Sequence, residues 1–156
     1  MFKRTECPSV IMSQFIFEGT AKWKGETESD VTVKGKHVAT VSPPPEFGGR
    51  KGYLVPEEVF TASLASCMNT LFLLIAGNSK LRLKGLETKA NLKMEAEGLE
   101  KLIFTDIHFV MTIALENDTE WERKKANRCF QIAQKTCPLR QSWGEKVPIS
   151  FEINFQ

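Results

Sequence analysis

The segment Pro56–Phe72, PEEVFTASLASCMNTLF, decides the fold of this chain. Its proline suits the first turn of a helix, which has no use for the missing N–H, and Glu57 and Glu58 place negative charge at the positive end of the helix dipole. From Val59 to Ser79 no residue is charged. Apolar and small side chains occupy every face of this run, which predicts a helix buried on all sides with Cys67 at its centre.

An uncharged run of this length also has to be compared with a membrane span, which needs about 20 apolar residues. The polar side chains inside the run argue against a span, because a bilayer centre penalises them, and no second run of this kind exists; they are Thr61, Ser63, Ser66, Asn69, Thr70 and Asn78. We therefore expect a core helix in a protein that has no membrane partner.

The composition restricts the class of protein. The 156 residues suit one domain with a substantial core, and Lys+Arg 21 against Asp+Glu 19 predicts no electrostatic binding of nucleic acid. The first ten residues contain no apolar run, so we expect no secretory signal and a cytoplasmic location. The cysteines are then predicted to be reduced thiols; they are Cys7, Cys67, Cys129 and Cys137. No CxxC pair occurs, and we predict no metal site and no cofactor.

The remaining periodicity predicts strands and one further helix. Period-two patterns favour strands within residues 9–24, 31–33, 38–41, 86–96, 103–115 and 147–155. An amphipathic helix is expected from Thr119 to Cys137-Pro138. Its predicted apolar face comprises Trp121, Ala126, Cys129, Phe130 and Ala133, and its predicted solvated face comprises Arg123, Lys124, Lys125 and Arg128. His108 is interpreted as a solvated or hydrogen-bonded strand histidine.

The order of these elements predicts an α+β fold with one or two antiparallel sheets packed on helices. We expect one domain over residues 1–156, with residues 1–8 a mobile terminus in which Cys7 has no role. A helix that is apolar on all sides needs cover that one sheet and one short helix hardly supply. A homodimer in which two such helices pack against each other is therefore predicted.

Three segments then form a recognisable pattern. Pro56-Glu57-Glu58 is followed by a helix of small residues that carries Ala65-Ser66-Cys67, and Cys137-Pro138 lies near the end of a later helix. The sequence GTAKWKG at residues 19–25 looks like a first strand and turn. From about residue 15 to its end, the chain resembles the OsmC/Ohr family of thiol-dependent hydroperoxide reductases. This resemblance implies an intertwined homodimer, with antiparallel sheets wrapped around a buried central helix and two sites at the subunit interface.

The resemblance also implies roles for particular residues. Cys67 would be the peroxidatic thiolate that attacks an organic hydroperoxide, Cys137 would resolve the product as a disulfide, and Glu57 would position the attacking group. An external thiol would supply the electrons. Glu57 and Cys67 are ten residues apart on one helix, about 15 Å along its axis, so the acting glutamate would be Glu57 of the partner subunit. Apolar helix residues favour hydrophobic peroxides, and the predicted substrate-binding residues are Arg50, Phe60, Leu64 and Met68.

The chain departs from the family pattern at one position. A cysteine among apolar residues needs a nearby cation to ionise, and the family uses an arginine on the amino-terminal sheet or the following loop. Residues 5–49 contain no arginine, and the matching positions fall near Glu26, Glu28 or Glu46. Arg50 is the nearest replacement, and Lys22, Lys24 and Lys51 are further candidates that could supply charge without a two-pronged contact. The alternative hypothesis is a non-catalytic OsmC-like protein that binds an apolar or acyl small molecule. A thioesterase-like activity is a third idea, for which the sequence offers no Asp/His/Ser constellation.

Overall fold

The chain folds into two three-stranded sheets and a helical layer. A computed structural model describes residues 13–156; the predictions for the mobile terminus, for Cys7 and for strand residues 9–12 lie outside the described residues. The elements are β1 Thr20–Gly25, β2 Glu28–Val33, β3 Lys36–Val41, a 3₁₀ turn Pro45–Phe47, α1 Pro56–Asn78, β4 Leu83–Glu97, β5 Lys101–Leu115, α2 Glu120–Thr136, α3 Pro138–Trp143 and β6 Ile149–Phe155. The predicted α+β class is confirmed.

The sheets are built from a meander and a long hairpin. Strands β1, β2 and β3 pair antiparallel in sequence order, and β4 pairs antiparallel with β5 around a turn in which Gly98 has a φ of 62°. The antiparallel prediction is wrong for β6, which pairs parallel to β5. The chain crosses through α2 and α3 between these two strands, and such a crossover brings the second strand back in the same direction. The strand predicted from residue 9 begins only at Thr20, because residues 13–19 have no partner strand in the described chain.

The core forms where α1 and α2 pack on one face of the second sheet. Every fourth residue of one α1 face is buried, as the helical period requires; these residues are Leu64, Met68, Phe72 and Ala76. Alternate residues of β5 meet them, namely Ile107, Phe109, Met111, Ile113 and Leu115. The buried residues of α2 are Ala126, Cys129, Phe130 and Ala133. These contacts cover one side of α1 only.

The prediction that α1 is buried on all sides is wrong for the single chain. Leu73 and Leu74 are 51% and 63% exposed, because the second sheet and α2 both lie on the opposite side of the helix. We call the exposed surface the open face of α1. In the described residues, α1 is long and apolar enough to cross a membrane by length and composition. Its other face nevertheless packs in the core between the second sheet and α2, as expected for a core helix.

The ends of α2 follow the predicted signals, but one side chain does not. The Thr119 hydroxyl accepts a hydrogen bond from the Glu122 backbone N–H at 3.2 Å, and the helix ends before Cys137-Pro138. Pro138 then opens α3, where its missing N–H costs nothing. Trp121, predicted on the buried face, is 65% exposed. Its ring lies under the Lys125 ammonium at 4.8 Å on the outer side of the helix.

Candidate active site

Cys67 lies halfway along α1, at the edge between its buried face and its open face. The residue is half-buried and its thiol is free. Burial raises the pKa of this thiol, and the neighbouring Cys137 thiol raises it further. Among residues 13–156 no cation lowers the pKa of Cys67. One chain by itself therefore holds Cys67 in its protonated form at neutral pH.

Cys137 occupies the junction between α2 and α3. It is fully buried, with φ −57° and ψ 119°, so the helical backbone is interrupted at this residue. The following proline explains the interruption, because the residue before a proline is driven out of the helical region. The break places the Cys137 thiol beside α1, near enough to Cys67 to act on its pKa. The two cysteines that the sequence singled out are therefore neighbours.

Glu57 and Glu58, which share the first turn of α1, have different surroundings. The Glu58 carboxylate accepts a hydrogen bond from the Val55 backbone N–H at 2.9 Å and so caps the helix. The Glu57 carboxylate has no hydrogen bond or ion pair within residues 13–156. It instead borders three cavities, with volumes of about 400, 320 and 180 Å³. The Glu57 carboxylate is thus available to a bound molecule or to another subunit, whereas one oxygen of the Glu58 carboxylate is used in the cap.

The cavity of about 320 Å³ has aromatic walls and lies on the Cys67 side of α1. Pro56, Glu57 and Phe60 contribute one side, while Phe104 of β5 and Trp143 of α3 contribute the other. The centroid of the Phe60 ring lies 5.8 Å from the centroid of the Phe104 ring and 5.7 Å from that of the Trp143 ring. Phe60 precedes Cys67 by seven residues, which is two helical turns or about 10 Å along the same side of the helix. We call this space the aromatic cavity.

Two wall residues of the aromatic cavity were missed by the sequence analysis. Trp143 could have been found, since Leu139 and Trp143 are four residues apart in a segment opened by Pro138 and form an apolar helical pair. Phe104 gave no such signal, because only the pairing of β4 with β5 brings it opposite α1. Leu64 and Met68, predicted to contact substrate, lie in the core at 4% and 0% exposure and border none of the three cavities around Glu57.

The Arg50 guanidinium is held by the carboxylates of Glu28 and Glu26. Its Nη1 donates to Glu28 Oε1 at 2.8 Å and lies 3.5 Å from Glu26 Oε2. Glu28 is 5% exposed, so the arginine closes over a nearly buried carboxylate, whose hydrogen bond and charge raise the pKa of Arg50. The Arg50 backbone N–H also donates to the buried Ser42 hydroxyl at 3.0 Å. The loop and the start of β2 thereby fix one guanidinium at the end of the first sheet that carries the β1–β2 turn.

The loop can approach this end of the sheet because of one glycine. A Cβ on Gly49 would collide with the carbonyl group of Pro43, so no other residue fits there without moving the loop. The sequence analysis interpreted the glycines of this loop as turn-formers, and the structure gives this one a role in placing Arg50. In residues 13–156 there is no group of three or more His, Cys, Asp or Glu side chains that could hold a metal ion.

His108 is hydrogen-bonded, as the sequence indicated, but in an arrangement that was not foreseen. Its Nδ1 lies 2.7 Å from Ser150 Oγ, and its Nε2 lies 3.7 Å from Glu152 Oε2. The pairing of β5 with β6 creates this Ser–His–Glu group, which no local pattern announces. It lies on the opposite face of the sheet from the buried Ile107 and Phe109 and borders none of the three cavities around Glu57.

Comparison with known proteins places the chain in a family. The sequence profile described as OsmC-like protein matches residues 48–152. A search of curated proteins returned no match. Among solved structures, an OsmC-like protein of unknown function from Vibrio cholerae superposes with a TM-score of 0.73 at 17% sequence identity, covering 91% of this chain and 99% of that chain.

Two further structures carry names that mention hydroperoxides. An organic hydroperoxide resistance protein from Elizabethkingia anophelis gives a TM-score of 0.72 at 16% identity, covering 92% of this chain and 99% of that chain. The organic hydroperoxide resistance protein OhrB of Bacillus subtilis gives 0.61 at 17%, covering 91% and 98%. At these identities the likeness establishes the fold, and the profile match establishes the relationship. The chain belongs to the OsmC family.

Proposed function

We propose that the protein is a cytoplasmic, thiol-dependent hydroperoxide reductase that uses Cys67 and Cys137 to reduce organic hydroperoxides. The supporting observation is the position of these two free thiols, which are neighbours although they are 70 residues apart in the chain. The aromatic cavity lies on the same side of α1 as Cys67 and offers an apolar surface to the organic part of a substrate.

The chemistry follows from two adjacent thiols. The Cys67 thiolate attacks the terminal oxygen of the hydroperoxide, the O–O bond breaks, and the alkoxide takes a proton and leaves as an alcohol. Cys67 is then a sulfenic acid. The Cys137 sulfur attacks it, the S–O bond breaks, and the hydroxide takes a proton to form water. Two thiols lose two electrons, the peroxide gains them, and an external thiol donor later reduces the disulfide.

The first step needs a cation that one chain does not place at its own Cys67. We propose that the site is completed in a homodimer, where Arg50 and Glu57 of one subunit face Cys67 of the other. The open face of α1 supports this assembly, because its small residues allow close approach of a second helix and its two leucines need cover; it comprises Ala62, Ser63, Ser66, Thr70, Leu73, Leu74 and Gly77. Cys67 borders that face, so a helix packed there would enclose the thiol.

The substrate-binding residues then divide into two sets. Phe60 would contact the organic group of the peroxide in the aromatic cavity, and Arg50 would stabilise the reacting sulfur. Leu64 and Met68 would act from the core behind Cys67, by keeping water from that side of the thiol. A protein built in this way should react faster with cumene hydroperoxide than with hydrogen peroxide. Comparable rate constants for the two peroxides would contradict the apolar site.

The direct test is stopped-flow oxidation of the reduced protein by one equivalent of cumene hydroperoxide, followed by mass spectrometry. Rapid consumption with a Cys67–Cys137 disulfide is expected. Cys67→Ser should abolish the reaction and Cys137→Ser should leave a trappable sulfenic acid. Cys129→Ser is the matched control, because Cys129 is also a buried cysteine but forms part of the α2 core. Oxidation no faster than that of a free thiol would refute the proposal.

The second candidate function is a non-catalytic OsmC-like protein that binds an apolar or acyl small molecule. It is favoured by the raised pKa of Cys67 and by the two glutamates that already hold Arg50. A thiol that stays reduced in excess peroxide, together with a lipid-like molecule carried through purification, would support this function. A disulfide formed within seconds would exclude it.

A further inference from the structure

A second cavity lies on the outer side of α2, well away from Cys67. Its volume is about 380 Å³, and it extends to Ser79 just beyond the end of α1. Ser79 follows Cys67 by twelve residues, about 18 Å along the helix axis. We call this space the α2 cavity. Nothing in the chemistry proposed for Cys67 uses it.

The walls of the α2 cavity combine cations with apolar side chains. Lys124, Lys125 and Arg128 border it, and no acidic residue does. Trp121 and Ile132 form the apolar part and expose 65% and 48% of their surfaces. Trp121, Arg128 and Ile132 lie on one side of α2 over about 16 Å of helix. The buried Cys129 forms the floor between them.

Of the three cations that border the α2 cavity, only Arg128 lacks a carboxylate partner within residues 13–156. Arg123 pairs with Asp118, Lys124 pairs with Glu120 at 2.6 Å, and Lys125 lies 3.9 Å from Glu122. Within residues 13–156, Arg128 has no carboxylate partner and no hydrogen bond. A guanidinium with five N–H donors and no carboxylate is suited to a planar two-oxygen anion.

The apolar wall is held in place before any ligand arrives. The Lys125 ammonium lies 4.8 Å from the centre of the Trp121 ring and donates to the Lys80 carbonyl oxygen at 3.2 Å. These contacts fix the indole against the lysine and leave its other surface exposed. An ordered aromatic ring beside an unneutralised guanidinium can bind an apolar group and an anion of one molecule at the same time.

We propose that the α2 cavity binds a small amphipathic anion, namely a carboxylate that carries an apolar chain or ring. The carboxylate pairs with the Arg128 guanidinium through two parallel hydrogen bonds. The apolar part lies against Trp121 and Ile132. Binding at this site requires neither the Cys67 chemistry nor an intact thiol, so it can be tested independently of the proposed peroxidase activity.

The test is an NMR titration of the full chain with sodium octanoate below its critical micelle concentration. The chain has three tryptophans, and the Trp121 indole N–H signal is assigned with Trp121→Phe. A saturable shift of this signal is expected, with the Trp23 and Trp143 signals unchanged. Arg128→Gln should weaken binding by about tenfold, the usual size of a lost charge-assisted pair. Lys101→Gln, which removes one positive charge at the exposed β4–β5 turn, should bind as the parent does.

Three results would overturn the inference. One is a linear, non-saturating shift of the Trp121 signal. Another is equal binding by the parent and Arg128→Gln, which would mean that the guanidinium is not the anion partner. The third is equal affinity for the neutral analogue octanamide, which would show that charge does not contribute. Arg128 is exposed, so Arg128→Gln should fold normally, and unchanged amide signals elsewhere verify this.

Discussion

At the scale of single residues, the function depends on how Cys67 ionises. Burial and the Cys137 thiol both raise the pKa of Cys67, so the fraction of thiolate at neutral pH is small unless a cation offsets them. Arg50 is the candidate cation, but Glu28 and Glu26 already hold its guanidinium. Whether Arg50 can lower the pKa of Cys67 while paired with these glutamates decides between a peroxidase and a binding protein. Arg50 and Cys137 can be substituted separately to test this.

Cys137→Ser should lower the pKa of Cys67, since a neutral hydroxyl cannot oppose the thiolate as the Cys137 sulfur does. Desolvation is the larger cause and remains, so removing the Cys137 thiol should reverse only part of the upward shift of the pKa. Below this pKa, alkylation of Cys67 should accelerate about tenfold for each unit of pH, because only the thiolate reacts. Iodoacetamide labelling against pH measures both values. A pKa that is unchanged in Cys137→Ser would mean that the two thiols are not neighbours.

Arg50→Ala should raise the pKa of Cys67 and slow its reaction with cumene hydroperoxide, because the cation nearest the proposed site is lost. Arg50→Lys should restore the reaction rate in part, because lysine keeps the positive charge but cannot make the two-pronged contact. Lys51→Ala removes a charge from the adjacent residue and is the control. Equal rates for all four proteins would assign Arg50 to loop anchoring alone, through Glu28 and Ser42.

At the scale of elements, Pro138 separates α2 from α3 and so determines where Cys137 lies. Pro138→Ala should let the helix continue through residue 137 and turn the Cys137 thiol away from α1. The first oxidation of Cys67 should keep its rate, whereas the sulfenic acid should persist because resolution is slowed. Trapping with a sulfenic-acid-specific reagent measures its lifetime, with Cys137→Ser as the limiting case. Disulfide formation at the parent rate would show that the helix break has no part in resolution.

The two faces of α1 should respond differently to substitution. Phe72→Ala removes a fully buried ring and should lower the free energy of unfolding by about 3–5 kcal/mol. Leu73→Glu, one residue later but on the open face, should leave the fold of the subunit intact and prevent association. Denaturant unfolding and light scattering distinguish these outcomes. A Leu73→Glu variant with the parent's molar mass would mean that the open face is not the subunit interface.

At the scale of the whole molecule, the sequence predicted the features that depend on local patterns and missed features that depend on long-range pairing. The alternation in β5 and the proline and cap signals of α1 and α2 were sufficient to place these elements. The parallel pairing of β6, the exposure of Trp121 and the Glu28–Arg50 pair were not predicted, because each depends on which distant segments meet. The Cys67–Cys137 pair was suggested by resemblance, and no property of either cysteine alone would have shown it.

The shared site gives the most stringent test of the whole assembly. Cys67→Ser and Arg50→Ala subunits should each be inactive or impaired alone, since every site in such a homodimer lacks one component. When the two are mixed equally, unfolded and refolded together, half of the dimers are mixed and each has one intact site out of two. Peroxidase activity should therefore recover to about one quarter of the parent value. If Arg50 instead served the Cys67 of its own chain, mixed dimers would contain no intact site and no recovery would be seen.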